Sequence, residues 1–156
     1  VAILFLDTSA FLKLYVAEKG SNWLKTFASG NQLVISELTF YESATALRRR
    51  YLDGIFTRQE ASKLYSQIYH DRFNYDIIAI GSDRQLNRVV SLSFNLPPNL
   101  RLRALDSLQL TAAIINQMRA SNQQPHDIVT FVSSDQQLLK VAQAQGFAIE
   151  NPEDHP

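Results

Sequence analysis

With 156 residues, 46% of them hydrophobic, the chain is long enough to bury a real core, and one domain is expected. Fifteen Lys and Arg balance fifteen Asp and Glu, so no overall basic charge marks it as a nucleic-acid binder, although a local basic patch would serve. The absence of Cys excludes disulfides, thiolate metal sites and a Cys nucleophile, and it fits a reducing compartment.

Val1 to Leu6 is an unbroken apolar run that stops at Asp7. Its Val, Ile and Phe predict a strand buried on both faces. Ala10, Phe11, Leu14 and Tyr15 then recur at helical spacing, so Asp7 stands where a strand ends and a helix begins. In open α/β sheets ligands bind at that rim. Asp7, Thr8 or Ser9 in this position can equally cap the helix. The apolar run is too short to span a bilayer and has no basic residue ahead of it. We therefore expect neither a signal peptide nor an anchor, but a soluble cytoplasmic protein.

Beyond a break at Gly20, Ser21 is expected to cap a short helix through Trp23, Leu24 and Phe27. Gln32 to Ile35 reads as a second strand, followed by a helix from Leu38 through Arg48, Arg49 and Arg50 to about Asp53. Thr57 and Glu60 have capping-box spacing ahead of a helix carrying Ala61, Leu64, Ile68 and Tyr69. Tyr75 to Ile80 is a third strand, Arg84 to Phe94 a helix, and Pro97 and Pro98 stiffen the next loop. A long helix over Leu102 to Met118 follows, and Pro125 leads into a fourth strand, Ile128 to Val132. Asp135 opens a helix that Gly146 ends, and Phe147 to Ile149 is a last short strand. Strands alternating with helices predict an α/β sandwich on a mostly parallel sheet of about five strands. Residues 1–150 form the expected single domain, and 151–156 a polar tail expected to be loose.

Most acids, Asp127 among them, lie in turns or on polar faces, where solvation accounts for them. Four do not. Asp7 and Asp135 each follow a hydrophobic strand and precede a helix, so parallel strands would bring both to one rim. Asp106 has Leu102 and Leu110 four residues to either side, so its face of the helix is apolar and burial is expected, the alternative being a partly exposed acid favoured by the helix N-terminus. Glu42 has Leu38 and Ala46 at the same offsets, and can also pair with a basic neighbour such as Arg49 on a solvated face. If the four converge, two carboxylates about 5 Å apart repel by roughly 3 kcal/mol at an effective dielectric of about 20. Some then hold protons, or a divalent cation neutralises them. An all-oxygen set suits Mg²⁺ or Mn²⁺. Such ions can grip a phosphodiester and activate water without a Ser or His nucleophile.

In this order and context the acids resemble a known pattern. LDTSAFLKLY, ISELTFYESATAL, LRALDSLQLTAA and FVSSDQQLLKVAQAQGF resemble the four motifs of the PIN-domain ribonucleases, most closely the VapC-type toxins of toxin–antitoxin pairs. The resemblance covers nearly the whole chain and carries Asp7, Glu42, Asp106 and Asp135 as its acids. It implies a three-layer α/β/α fold, a divalent-metal site, hydrolysis of RNA, a homodimer, and an antitoxin that inserts a peptide into the active-site groove. Ser9 matches the family's small hydroxyl residue near the first acid. Ser133 stands where Thr is frequent, which keeps the hydroxyl. An RNA-processing nuclease without an antitoxin, or an inactive scaffold of this fold, are the alternatives.

Arg49 shares a helix face with Glu42 by i+7 spacing, and Arg101 and Arg103 directly precede Asp106, so these three are candidates to hold RNA phosphates. Each is also an ordinary solvated Arg. The tyrosines lie at helical spacing more typical of core or interface. Two rival chemistries fit less well. Haloacid-dehalogenase-type phosphotransfer usually has a second Asp where Ser9 stands, and a phospho-receiver domain needs an Asp directly after a central strand.

Overall fold

The computed structural model describes residues 1–123 and 128–155, so Pro125 and Asp127 lie outside the described residues. Five parallel strands form its sheet: β1 (Ile3–Leu6), β2 (Gln32–Ser36), β3 (Asp76–Ile78), β4 (Val129–Val132) and β5 (Ala148–Glu150), in the spatial order β3-β2-β1-β4-β5. Seven α-helices are described: α1 (Thr8–Leu12), α2 (Ser21–Ala28), α3 (Leu38–Leu52), α4 (Arg58–His70), α5 (Asp83–Asn95), α6 (Ala104–Gln123) and α7 (Gln136–Ala144).

The central strand β1 is apolar throughout because both of its faces are covered. Successive side chains of a strand point to opposite faces. Ile3 and Phe5 accordingly join a core with Val34, Phe131, Leu92 of α5, Leu110 of α6 and Val141 of α7. Leu4 and Leu6 join a second core with Ile35, Phe11 of α1, Leu24 of α2, Leu47 of α3 and Ile68 of α4. The result is three layers, with α1 to α4 on one face and α5 to α7 on the other. Phe5 stacks on Phe131 across the β1–β4 pair, with ring centroids 5.6 Å apart.

Strand β1 is central. Leu6 pairs in register with Ile35 on one side and Val132 on the other. The chain proceeds outward from β1 to β2 and β3, then returns across the sheet to add β4 on β1's free side. That reversal opens a crevice at the carboxyl ends of the strands, the usual ligand site of such sheets. Asp7 and Asp135 leave β1 and β4 there.

Several local expectations change. Helix α1 is only five residues long and ends at Lys13, whose side chain is buried, so Leu14 and Tyr15 lie in turns. Ser21 does not cap α2. Gly20 occupies the cap with a positive φ of 81°, and Ser21 is buried, donating to the Val16 carbonyl and accepting from the Glu18 amide. Thr57 and Glu60 do form the capping box of α4.

Residues 151–155, expected to be loose, are held in place. Pro152–Asp154 form a 3₁₀ turn, Glu153 reaches the buried Lys13 at 2.9 Å, and His155 stacks on Trp23 at 3.9 Å. A Cβ on Gly20 would come within 2.2 Å of the Pro152 carbonyl oxygen, so only glycine fits beneath that turn. Among the described residues no helix is long and apolar enough to cross a membrane.

Candidate active site

The four acids arrive at one cavity of about 560 Å³ from four different elements. Asp7 ends β1 and caps α1 as well, so the capping and rim readings hold together. Its Oδ1 accepts from the Ala10 amide at 2.9 Å and the Ser9 hydroxyl at 2.7 Å, and its Oδ2 accepts from the Ser133 hydroxyl at 2.7 Å. Burial dominates its electrostatics. At 5% exposure the carboxyl is pushed up to about 6, against the three hydrogen bonds that favour its charge and with help from the nearby Glu42 charge.

The two serines also fasten β1 to the segment after β4. The Ser9 hydroxyl accepts from the Ser134 amide at 2.8 Å, and the Ser133 hydroxyl accepts from the Asp135 amide at 2.9 Å. Each hydroxyl thus gives its proton to Asp7 and receives one from the β4–α7 turn. Asp7 and Asp135 are held in fixed relation by these bonds.

Glu42 lies in the second turn of α3. Its Oε1 accepts from the Thr8 hydroxyl at 2.8 Å and from Gln109 Nε2 at 2.7 Å. The latter amide also lies 2.9 Å from the Thr8 hydroxyl and 3.2 Å from the Thr39 hydroxyl. Gln109 is 2% exposed, and its own Oε1 is buried without a hydrogen-bond partner among the described residues. Glu42 does not pair with Arg49. Arg49 lines the same cavity and makes no ion pair among the described residues.

Asp106 departs from expectation. It lies in the first turn of α6 with its side chain 20% exposed, and Arg103 Nε donates to its Oδ2 at 2.8 Å. The helix begins at Ala104, so Leu102 is not on a helical face beneath it. Asp135 caps α7, its Oδ1 accepting from the Gln137 and Leu138 amides, while its Oδ2 accepts from Arg103 Nη2 at 3.0 Å.

Of the three candidate arginines, Arg49 and Arg103 line the cavity, and Arg101 is exposed outside its lining. Arg50 lines it too, tied to Glu18, which also meets Lys13 at 3.4 Å. Thr8, Gln109 and Arg50 are the site residues that sequence reasoning missed. The one available signal was an amide at position 109 inside an apolar helix, three residues beyond an acid.

The family model described as PIN domain matches residues 4–144. The chain belongs to the PIN-domain family. Among curated proteins none matches it significantly. The fold also recurs in solved structures. One is VapBC2 from Rickettsia felis bound to a DNA fragment from its promoter, 18% identical over 96% of this chain and 98% of that chain, with a TM-score of 0.64. A toxin–antitoxin complex from Klebsiella pneumoniae is 15% identical over 97% and 98%, with a TM-score of 0.60. FitAcB from Neisseria gonorrhoeae is 12% identical over 98% and 99%, with a TM-score of 0.57. PIN domains are nucleases, hydrolases by class, and generally use divalent metal ions.

The donor set of this PIN domain fits such an ion chemically. Four carboxylates and the Thr8 and Ser9 hydroxyls offer hard oxygen donors, and among the described residues no His lines the cavity. Among the described residues, however, no three His, Cys, Asp or Glu side chains are grouped so as to hold a metal as they stand. Asp7 and Glu42 are turned to hydroxyls and amides, and Asp106 and Asp135 to a guanidinium that stands where positive charge is wanted.

Proposed function

We propose that this PIN domain is a Mg²⁺- or Mn²⁺-dependent endoribonuclease, acting in the cytoplasm as the toxin of a toxin–antitoxin pair. The observation that carries it is the meeting of Asp7, Glu42, Asp106 and Asp135, from four elements, at one cavity in a chain of a nuclease family. Those four carboxylates would hold the metal. The ion, when bound, supplies an activated water and neutralises charge on the scissile phosphate.

The chain's own residues do the rest. Ser9 and Ser133 fix the direction of both Asp7 oxygens. Thr8 and Gln109 fix Glu42 from the opposite side. Arg49, which has no acid partner among the described residues, is free to meet a phosphate at the cavity wall. Arg103 is a second candidate at the rim, and Arg101 a more distant one.

An antitoxin partner is supported by the resemblance of the motifs and by fold neighbours that are themselves VapBC or toxin–antitoxin complexes. A homodimer is supported by the surface of α5. Leu86, Val90 and Phe94 recur every four residues there and are all exposed, an apolar stripe of the kind that packs against a second helix.

The test is cleavage of a labelled mixed RNA pool with Mg²⁺, Mn²⁺ or EDTA, comparing wild type with Asp7→Asn. Metal-dependent cutting that is lost in the variant is the expected result. Normal turnover by Asp7→Asn would rule out the proposed site. Absence of cutting together with absence of metal binding would favour the scaffold alternative.

A further inference from the structure

Arg103 is, among the described residues, the only side chain bonded to both Asp106 and Asp135. Its carbonyl accepts the first helical hydrogen bond of α6, from Ser107 at 2.9 Å, so its backbone is held by that turn. Its side chain is 75% exposed. Nε and Nη2 each take the Oδ2 of a different acid, so one guanidinium spans two carboxylates that come from different helices. A divalent ion needs those same acids, deprotonated and unengaged.

We propose that Arg103 is the site's built-in counter-cation. It occupies Asp106 and Asp135 when no divalent ion is bound, competes with the ion for them, and swings out when the ion enters. This rests on the metal-dependent function proposed above.

The exchange is one-sided for physical reasons. A solvent-exposed arginine ion pair is weak and screened, and a long side chain gains rotamer freedom on release. A doubly charged ion interacts more strongly with each carboxylate than a delocalised single charge does. No other cation at the cavity is so arranged. Arg50 is held by Glu18, and Arg49 touches none of the four acids among the described residues. The splayed arrangement of the acids follows, since two of them are turned to the guanidinium. Once free, Arg103 remains at the rim, where a phosphodiester is the next anion within its reach.

Calorimetric titration of the full chain with Mn²⁺ tests this, using wild type, Arg103→Ala, Arg103→Lys and Arg101→Ala. Arg103→Ala should bind Mn²⁺ roughly 3- to 10-fold more tightly, because two exposed ion pairs no longer compete. Arg103→Lys should fall between, since an ammonium is a point charge without the fork. Arg101→Ala removes the same charge outside the cavity and should stay within about twofold of wild type. Raising the salt should narrow the gap between Arg103→Ala and wild type. Equal or weaker affinity in Arg103→Ala, or the same gain in Arg101→Ala, would overturn the proposal and leave the metal site standing. Failure of all four proteins to bind Mn²⁺ would overturn both.

Discussion

The two halves of the acidic cavity are built in opposite ways. Asp7 and Glu42 receive hydrogen bonds from neutral donors, the hydroxyls of Thr8, Ser9 and Ser133 and the amide of Gln109. Asp106 and Asp135 share a cation, and their side chains are 20% and 31% exposed. Neutral donors in a buried setting fix a carboxylate's direction and leave its charge uncompensated. A guanidinium in water compensates charge and fixes direction only weakly. The Asp7 and Glu42 half is therefore preorganised and electrostatically tense; in the other half the Gln137 and Leu138 amides fix Asp135 through Oδ1, and only the guanidinium that faces its Oδ2 and Asp106 is exchangeable. A cation arriving from solvent would meet fixed carboxylates on one side and a replaceable guanidinium on the other.

The widest separation between the halves should appear at Asp7. Its carboxyl is pushed up to about 6 from an ordinary 3.8, mainly by burial. A raised carboxyl favours the fold in its protonated form. That contribution is fully present below about 3.8 and is lost as pH rises through about 6. Asp7→Asn cannot lose it. In EDTA, the stability advantage of the variant should grow from near zero at about pH 4 to at most about 3 kcal/mol by about pH 7. Urea titrations across that range measure it, and a gap that does not change with pH would mean Asp7 is not under electrostatic tension.

Gln109→Leu comes next. It keeps the bulk of the side chain and removes the amide that directs Glu42. Loss of such a supporting partner costs on the order of 10- to 100-fold in metal affinity or activity. The fold should survive, because the residue replaced already has an unpartnered oxygen. Melting curves beside Mn²⁺ titrations would separate the two effects. An unchanged affinity would show that Glu42 needs no such support.

The smallest stability effect should come from the exchangeable half. Asp106→Asn should remove most cleavage yet alter metal-free stability by less than about 1 kcal/mol, since only an exposed ion pair is lost. Denaturation in EDTA gives the number directly. A loss of several kcal/mol would mean that the Arg103 pair is structural, and the contrast between the halves would fail.

Much of this is legible in the sequence. An apolar run that ends at Asp7 marks β1, one followed by two serines and Asp135 marks β4, and parallel pairing brings Asp7 and Asp135 to one rim, as their shared context predicts. Asp106 is more exposed than its sequence neighbours imply, because Leu102, four residues before it, precedes the helix and covers none of its face. The polar composition after β5 suggests slack chain, whereas Lys13 and Trp23 offer it an ion pair and a ring to stack on. Gln109 and Thr8 stayed hidden for a different reason. Their bonds to Glu42 cross 67 and 34 residues, and nothing local in a helix says which distant side chain its amide will meet.

The Ser133 hydroxyl that steadies Asp7 comes from 126 residues further along the chain. Every residue up to Asp135 must therefore be synthesised before β4 can slot in beside β1 and the fourth acid exists. Contacts of such long range also form late and slowly in folding. A nascent chain that stops short of β4 thus lacks both the Ser133 anchor of Asp7 and the fourth acid of the cavity.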